Sequence, residues 1–180
     1  MNDAPANGAD QAQQQPPMLL NGQYIKDLSF ESPNAPGILS NLQGAQPDVN
    51  INVDVSANKL EGGDDNLYEA VLEIKAEMKI EDKVGFIFEL QYAGVFTLNV
   101  AEEHLSPMLL IECPRMLFPF ARNIVAETTR DGGFMPLMLQ PLDFAAMFQQ
   151  NLQAQAGKLG DDVADLDAEV AKMAEEKSAN

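Results

Sequence analysis

The chain carries one cysteine, Cys113, and one histidine, His104, in 180 residues. A lone cysteine rules out an intramolecular disulfide and suits a reducing cytosol. The two residues cannot build a His/Cys zinc cluster. A catalytic Cys/His pair would need them to meet across a segment that proline interrupts. Bases are scarce as well, with 11 Lys and Arg against 28 Asp and Glu and a formal charge of −17. A body so anionic repels nucleic acid and anionic lipid surfaces at long range, so no nucleic-acid partner is expected. No uninterrupted apolar run approaches the roughly 20 residues of a membrane span, so direct membrane insertion is not expected either. Residues 1–17 lack Lys and Arg and have no apolar stretch after a basic start. They are unlike a secretory signal, and the expected location is cytoplasmic. Neither GxxxxGK(S/T) nor GxGxxG occurs, so no nucleotide machinery is expected. The adjacent acids Glu102 and Glu103, or Asp64 and Asp65, read as solvated turn residues. With no active-site constellation, the expectation is a protein that is not an enzyme and needs no cofactor or metal.

Local pattern gives the organisation. Residues 1–20 are read as a disordered N-terminal arm, 21–156 as the folded domain and 157–180 as an acidic tail. In YIKDLSFE, alternation sets Tyr24, Leu28 and Phe30 against Asp27, Ser29 and Glu31. Breakers from Pro33 to Pro47 make the next stretch a long crossover loop, in which Ile38, Leu39 and Leu42 are apolar enough to pack. Ile51, Val53 and Val55 share one face of a second strand. Leu72, Ile74, Ala76, Met78 and Ile80 do so in a third, and Val84, Phe86, Phe88, Leu90 and Tyr92 in a fourth. That fourth strand continues past Gly94, where a bend is expected. Short links between these last strands imply antiparallel neighbours.

After Val100 the period becomes helical, bent or broken at Pro114 and Pro119 and stopped by Asp131, Gly132 and Gly133. Asp143 is a candidate N-cap for a further helix, with Leu142 and Met147 spaced as a hydrophobic staple. Strands first and helices afterwards predict an α+β domain. One sheet face lies under helices, and the other, with Asp27, Glu31, Glu73, Glu77 and Glu89, is left to solvent or a partner. In the tail, Val163, Leu166, Val170 and Met173 fall on one helical stripe.

Nine Met residues, five of them interleaved with Phe in the C-terminal half, supply flexible apolar surface. Such side chains repack around different shapes, which suits a surface that accepts many partners. FMPLMLQPL, from Phe134 to Leu142, is the best groove candidate because Pro136 and Pro141 forbid a continuous helix there. The candidate lining is Leu42, Phe134, Met135, Leu137, Met138, Leu142, Phe144 and Met147.

Four segments in order, YIKDLSFESPNAPGI, FELQYAGVF, CPRMLFPFAR and GGFMPLMLQPLDFAAMF, resemble the SecB family of protein-export chaperones. The resemblance covers Tyr24 to Gln155. It implies a four-stranded antiparallel sheet with helices packed on one face, assembled as a homotetramer that is a dimer of dimers. It also implies an ATP-independent cytosolic chaperone that holds unfolded precursor proteins in apolar grooves and passes them to the SecA motor. Matched residue by residue, the family's SecA-docking positions fall on Asp27 and Glu31 in the first strand and on Ile87 and Glu89 in the fourth. Ala45 and Gln46 stand before Pro47 where family members often have an aromatic residue, and the tail differs from the short family tail, so its SecA contact is not transferred. A second reading is a non-chaperone adaptor that binds a specific folded partner through the acidic sheet face. Promiscuity toward unfolded chains separates the two.

Overall fold

A computed structural model of the chain describes residues 16–154, apart from 41, 43, 45 and 63–65. The arm before residue 16, the Asp64/Asp65 turn and the tail from 155 onward, with its apolar stripe, lie outside the described residues.

Strands β1 (Met18–Glu31), β2 (Asp48–Lys59), β3 (Leu67–Ile80) and β4 (Lys83–Leu98) form one antiparallel sheet in the order β1-β4-β3-β2. The alternation in sequence becomes sidedness in space. Leu72, Ile74, Ala76, Met78 and Ile80 of β3 are buried together with Phe86, Phe88, Leu90 and Tyr92 of β4. Their alternates, Glu73, Lys75 and Glu77 on β3 and Ile87, Glu89 and Gln91 on β4, are paired across the opposite face. β1 starts within the stretch expected to be an arm, because Met18 and Leu20 pair with Leu98 and Phe96 and pack against the core. Between β1 and β2, the crossover holds a short helix α1 (Gly37–Ser40) that buries Ile38.

Two residues lie on the other face from that expected: Val84, which a register shift after Met78 pairs with outward-facing Lys79, and Tyr24. A register shift between Ile25 and Asp27 leaves Lys26 unpaired, and such a one-residue shift reverses the facing of residues 22–25, until a second shift between Leu20 and Gly22 restores it. Leu28 and Phe30 stay opposite Leu90 and Phe88 on the core side, while Tyr24 pairs with Ala93 and turns to the outer face. There its hydroxyl donates to Glu69, and Lys26 Nζ reaches the other Glu69 oxygen at 2.7 Å. Glu69 is buried, so these two donors are what allow an ionised carboxylate at that position.

Beyond β4, α2 (Glu102–Pro107) runs through one widened π turn, Met108–Glu112, into α3 (Cys113–Asp131). The widened turn sits just before Pro114, whose missing N–H and bulky ring disfavour a regular turn. α3 lays Leu117, Phe118, Ala121, Val125 and Thr129 against the core side of the sheet. β4 pairs without interruption through Gly94. A Cβ there would come within 2.8 Å of Leu117, and glycine instead lets the helix approach the strand. A last helix, α4 (144–154), buries Phe144 against the ring of Phe118.

The Glu69 carboxyl is held below its ordinary value near 4.5, first by the Lys26 hydrogen bond and then by that of Tyr24. A depressed folded value stabilises the fold above the unfolded carboxyl's range and is lost as pH falls through the folded value. Glu69→Ala should lower unfolding free energy by about 1–3 kcal/mol at neutral pH. Urea titrations of both proteins at descending pH should show the wild-type advantage shrinking below the ordinary carboxyl range.

Candidate functional site

The end of α3 sets the first surface. Gly133 takes φ 89°, a conformation glycine adopts without steric cost, and the chain reverses there. The Gly133 N–H donates to the Arg130 carbonyl and the Phe134 N–H to the Thr129 carbonyl, the paired bonds of a Schellman cap. Phe134 then enters the core and packs edge-on against Phe86 and Phe30. Buried Thr129 holds the outgoing chain. Its Oγ1 donates to the Val125 carbonyl at 2.8 Å and accepts the Leu137 N–H at 3.0 Å. The segment therefore runs extended along the domain until Asp143, whose carboxylate accepts the Ala146 N–H at 3.0 Å and caps α4.

Between this segment and the edge strand β2 lies an open hollow of about 400 Å³, lined by Ile51, Val53, Met138, Leu139, Gln140, Leu142 and Met147. Ile51 and Val53 pair with Ala76 and Ile74, which places them on the core side of the sheet. A smaller recess on the far side of Met147, with Val55, Leu110 and Phe148, extends the apolar lining along β2. Of the residues singled out from sequence, Met138, Leu142 and Met147 meet in the hollow. Phe134 and Phe144 are buried in the core and line no part of the hollow, and Leu42 and Leu137 pack half-buried against that core. Met135 is 87 % exposed and stands outside the hollow. Ile51, Val53 and Thr129 escaped sequence reasoning. The two strand residues had an alternation signal but no sign of their neighbour, and a helical Thr carries no signal of an acceptor role.

The second surface is the other side of the sheet. Glu31, Ile87, Glu77 and Asn50 form one row across the four strands, and Ser29, Glu89, Lys75 and Asn52 form the next. Asp27 begins a third row with Gln91, Glu73 and Asp54. A shallow depression of about 290 Å³ lies among Asn50, Asn52, Lys75, Glu77, Ile87 and Glu89. Lys75 bridges Glu73 at 3.0 Å and Glu89 at 3.8 Å, and Lys79 reaches Glu77 at 3.0 Å. Asp27 and Glu31 have no ion-pair partner among the described residues. Asp27, Glu31, Ile87 and Glu89 thus share one acidic face with a half-buried apolar residue among the carboxylates.

Nothing in this arrangement prepares a nucleophile. Burial, and then the Glu112 carboxylate, push the Cys113 thiol up to about 12, so it stays protonated at neutral pH. His104 is exposed and stands beside Glu103, 3.4 Å away. No group of His, Cys, Asp and Glu among the described residues is placed to hold a metal ion. No helix among them is long and apolar enough to cross a membrane.

A family model described as preprotein translocase subunit SecB matches residues 11–155. The protein-export protein SecB of Rhodospirillum rubrum is 56% identical over 155 residues, which are 86% of this chain and 92% of that protein. Its counterpart from Bradyrhizobium is 54% identical over 156 residues, 86% of this chain and 94% of the other. Among solved structures, the Mycobacterium tuberculosis Rv1957 SecB-like chaperone, in complex with a ChAD peptide from the Rv1956 HigA1 antitoxin, superposes with a TM-score of 0.57 at 12% identity. It covers 69% of this chain and 90% of its own, a likeness of fold.

Thr129→Val keeps the shape of the side chain but removes the acceptor of the Leu137 N–H. The variant should lose about 1–2 kcal/mol of stability. Hydrogen exchange at the Leu137 amide should accelerate more than at amides in the middle of α3.

Proposed function

Because this chain belongs to the SecB family of preprotein translocase subunits, we propose that it holds unfolded precursor proteins in a translocation-competent state and delivers them to the SecA motor without using ATP. Its role is that of a chaperone in protein export. The observation that carries the mechanism is the open apolar hollow at the β2 edge, on the side of the sheet away from the acidic rows.

A holdase must distinguish unfolded chains from folded ones, and exposed apolar side chains are the difference between them. Met138, Leu142 and Met147, facing Ile51 and Val53, offer those side chains a deformable apolar bed. Each one buried contributes about 1.5–3 kcal/mol before ordering costs, so a few contacts remain reversible. On the other face, Asp27, Glu31 and Glu89 around Ile87 form the docking patch for a basic surface of SecA. Client and motor then occupy opposite sides of one sheet and need not compete. The homotetrameric state draws support from two sets of exposed apolar residues, Met116 and Phe120 on α3 and Leu19, Ile25 and Leu28 on β1. Several hollows on one assembly would make later client contacts intramolecular and raise avidity. The site of action is the cytosol, and no catalytic step is involved. The adaptor reading would engage the acidic face alone and leave the hollow without a role.

Light scattering of the protein with and without a reduced, carboxamidomethylated polypeptide tests assembly and promiscuity together. The expected result is a tetramer that takes up several unrelated unfolded chains and none of their folded forms. The double variant Asp27→Lys/Glu89→Lys should bind SecA about tenfold or more weakly, while its affinity for unfolded chains stays unchanged. Equal loss of both would refute the assignment of the two faces.

A further inference from the structure

The sulfur of methionine is the group in the hollow that a mild two-electron oxidant can alter. Met138 lines the hollow and is 57 % exposed, whereas Met147 lines it half-buried. Met135 is more exposed still but stands apart from the hollow, and Met78 is buried in the core. Access to a reagent and contact with a bound chain are therefore separable among these residues. Met138 has both, Met135 only the first and Met78 neither.

We propose that Met138 is a modification site, whose oxidation to the sulfoxide by a peroxide or hypohalous acid weakens the hollow's hold on apolar chains; this rests on the client-binding role given above. With hydrogen peroxide, a sulfur lone pair forms a bond to one peroxide oxygen, the O–O bond breaks, and the other oxygen leaves as water after proton transfer. Sulfur is oxidised by two electrons and the peroxide is reduced by two. A flexible apolar side chain thereby becomes polar. The new acceptor oxygen stands among Ile51, Val53, Leu139 and Leu142, and Gln140 is the one lining side chain able to donate to it. Free in water, the oxygen is hydrated. A chain laid over it strips that water without replacing all its hydrogen bonds, so the cost falls on the bound state. The change is reversible by methionine sulfoxide reductases.

The test uses the full chain in its native assembly, treated with graded hydrogen peroxide and then freed of it. Peptide mass spectrometry measures the sulfoxide at Met78, Met135 and Met138, and anisotropy titration measures affinity for labelled, reduced and carboxamidomethylated lysozyme. Met135 and Met138 should oxidise before Met78. Affinity should fall roughly five- to tenfold in step with Met138 sulfoxide and return on reduction by a pair of methionine sulfoxide reductases, one for each sulfoxide epimer. Met138→Leu should keep its own untreated affinity through the same treatment, while Met135→Leu should still lose affinity. The proposal is overturned if Met138 resists doses that oxidise Met135, or if its sulfoxide forms with affinity unchanged. It is overturned equally if Met138→Leu loses as much as the wild type. In those three cases binding by the untreated protein leaves the client-holding role intact. Absence of binding before any treatment removes both.

Discussion

Burial of one face of β3 and β4 under α3 is the constraint on which everything else in the domain depends. Phe88, Leu90, Leu72 and Ile74 are fully enclosed there with Leu117 and Val125 of the helix. Since side chains alternate along a strand, enclosing one set commits the other to the opposite face. The acidic rows therefore follow from the core. Glu73, Lys75 and Glu77 have no freedom to turn inward while Leu72, Ile74 and Ala76 are held by the helix.

The same constraint leaves β2 half covered. α3 contacts β4, β3 and β1, and what approaches β2 on the core side is the π turn before α3, the extended chain after it and the start of α4. A helix presents a continuous ridge, but this segment contains Pro136 and Pro141 and spans the distance with separate side chains. Ile51 and Val53 are thus met across a gap instead of a packed interface. The hollow is the consequence of covering a four-stranded sheet with one long helix and a proline-broken strap. Its position is maintained from within, by the glycine reversal at 133, the anchor of Phe134 among Phe86 and Phe30, and the double hydrogen bond of Thr129.

Charge and apolar surface divide the work between them. Strong net negative charge opposes aggregation of a chain with exposed Met and Leu side chains and discourages it from binding anionic surfaces. The apolar contacts are non-directional and suit chains of any sequence, whereas carboxylates arranged in rows around Ile87 are directional and suit one complementary surface. Placing the two on opposite sides of a sheet separates apolar from acidic surface by the thickness of one layer.

Local chemistry was enough to read much of this from sequence. The alternation of β3 and β4, the cap at Asp143, the glycine stop after Asp131 and the shift from strands to helices each depend on neighbours within a few residues, and each stands in the structure. Asp27, Glu31, Glu73, Glu77 and Glu89 could be grouped on one face for the same reason. What escaped depends on contacts between distant parts of the chain. The bulge at Lys26 follows from how β1 registers on β4, and it carried Tyr24 to the other face. FMPLMLQPL reads as uniformly apolar. Only its path over the core decided that Phe134 is enclosed, Met138 lines the hollow and Met135 faces water, because burial is set by what lies opposite a side chain and not by its own hydrophobicity.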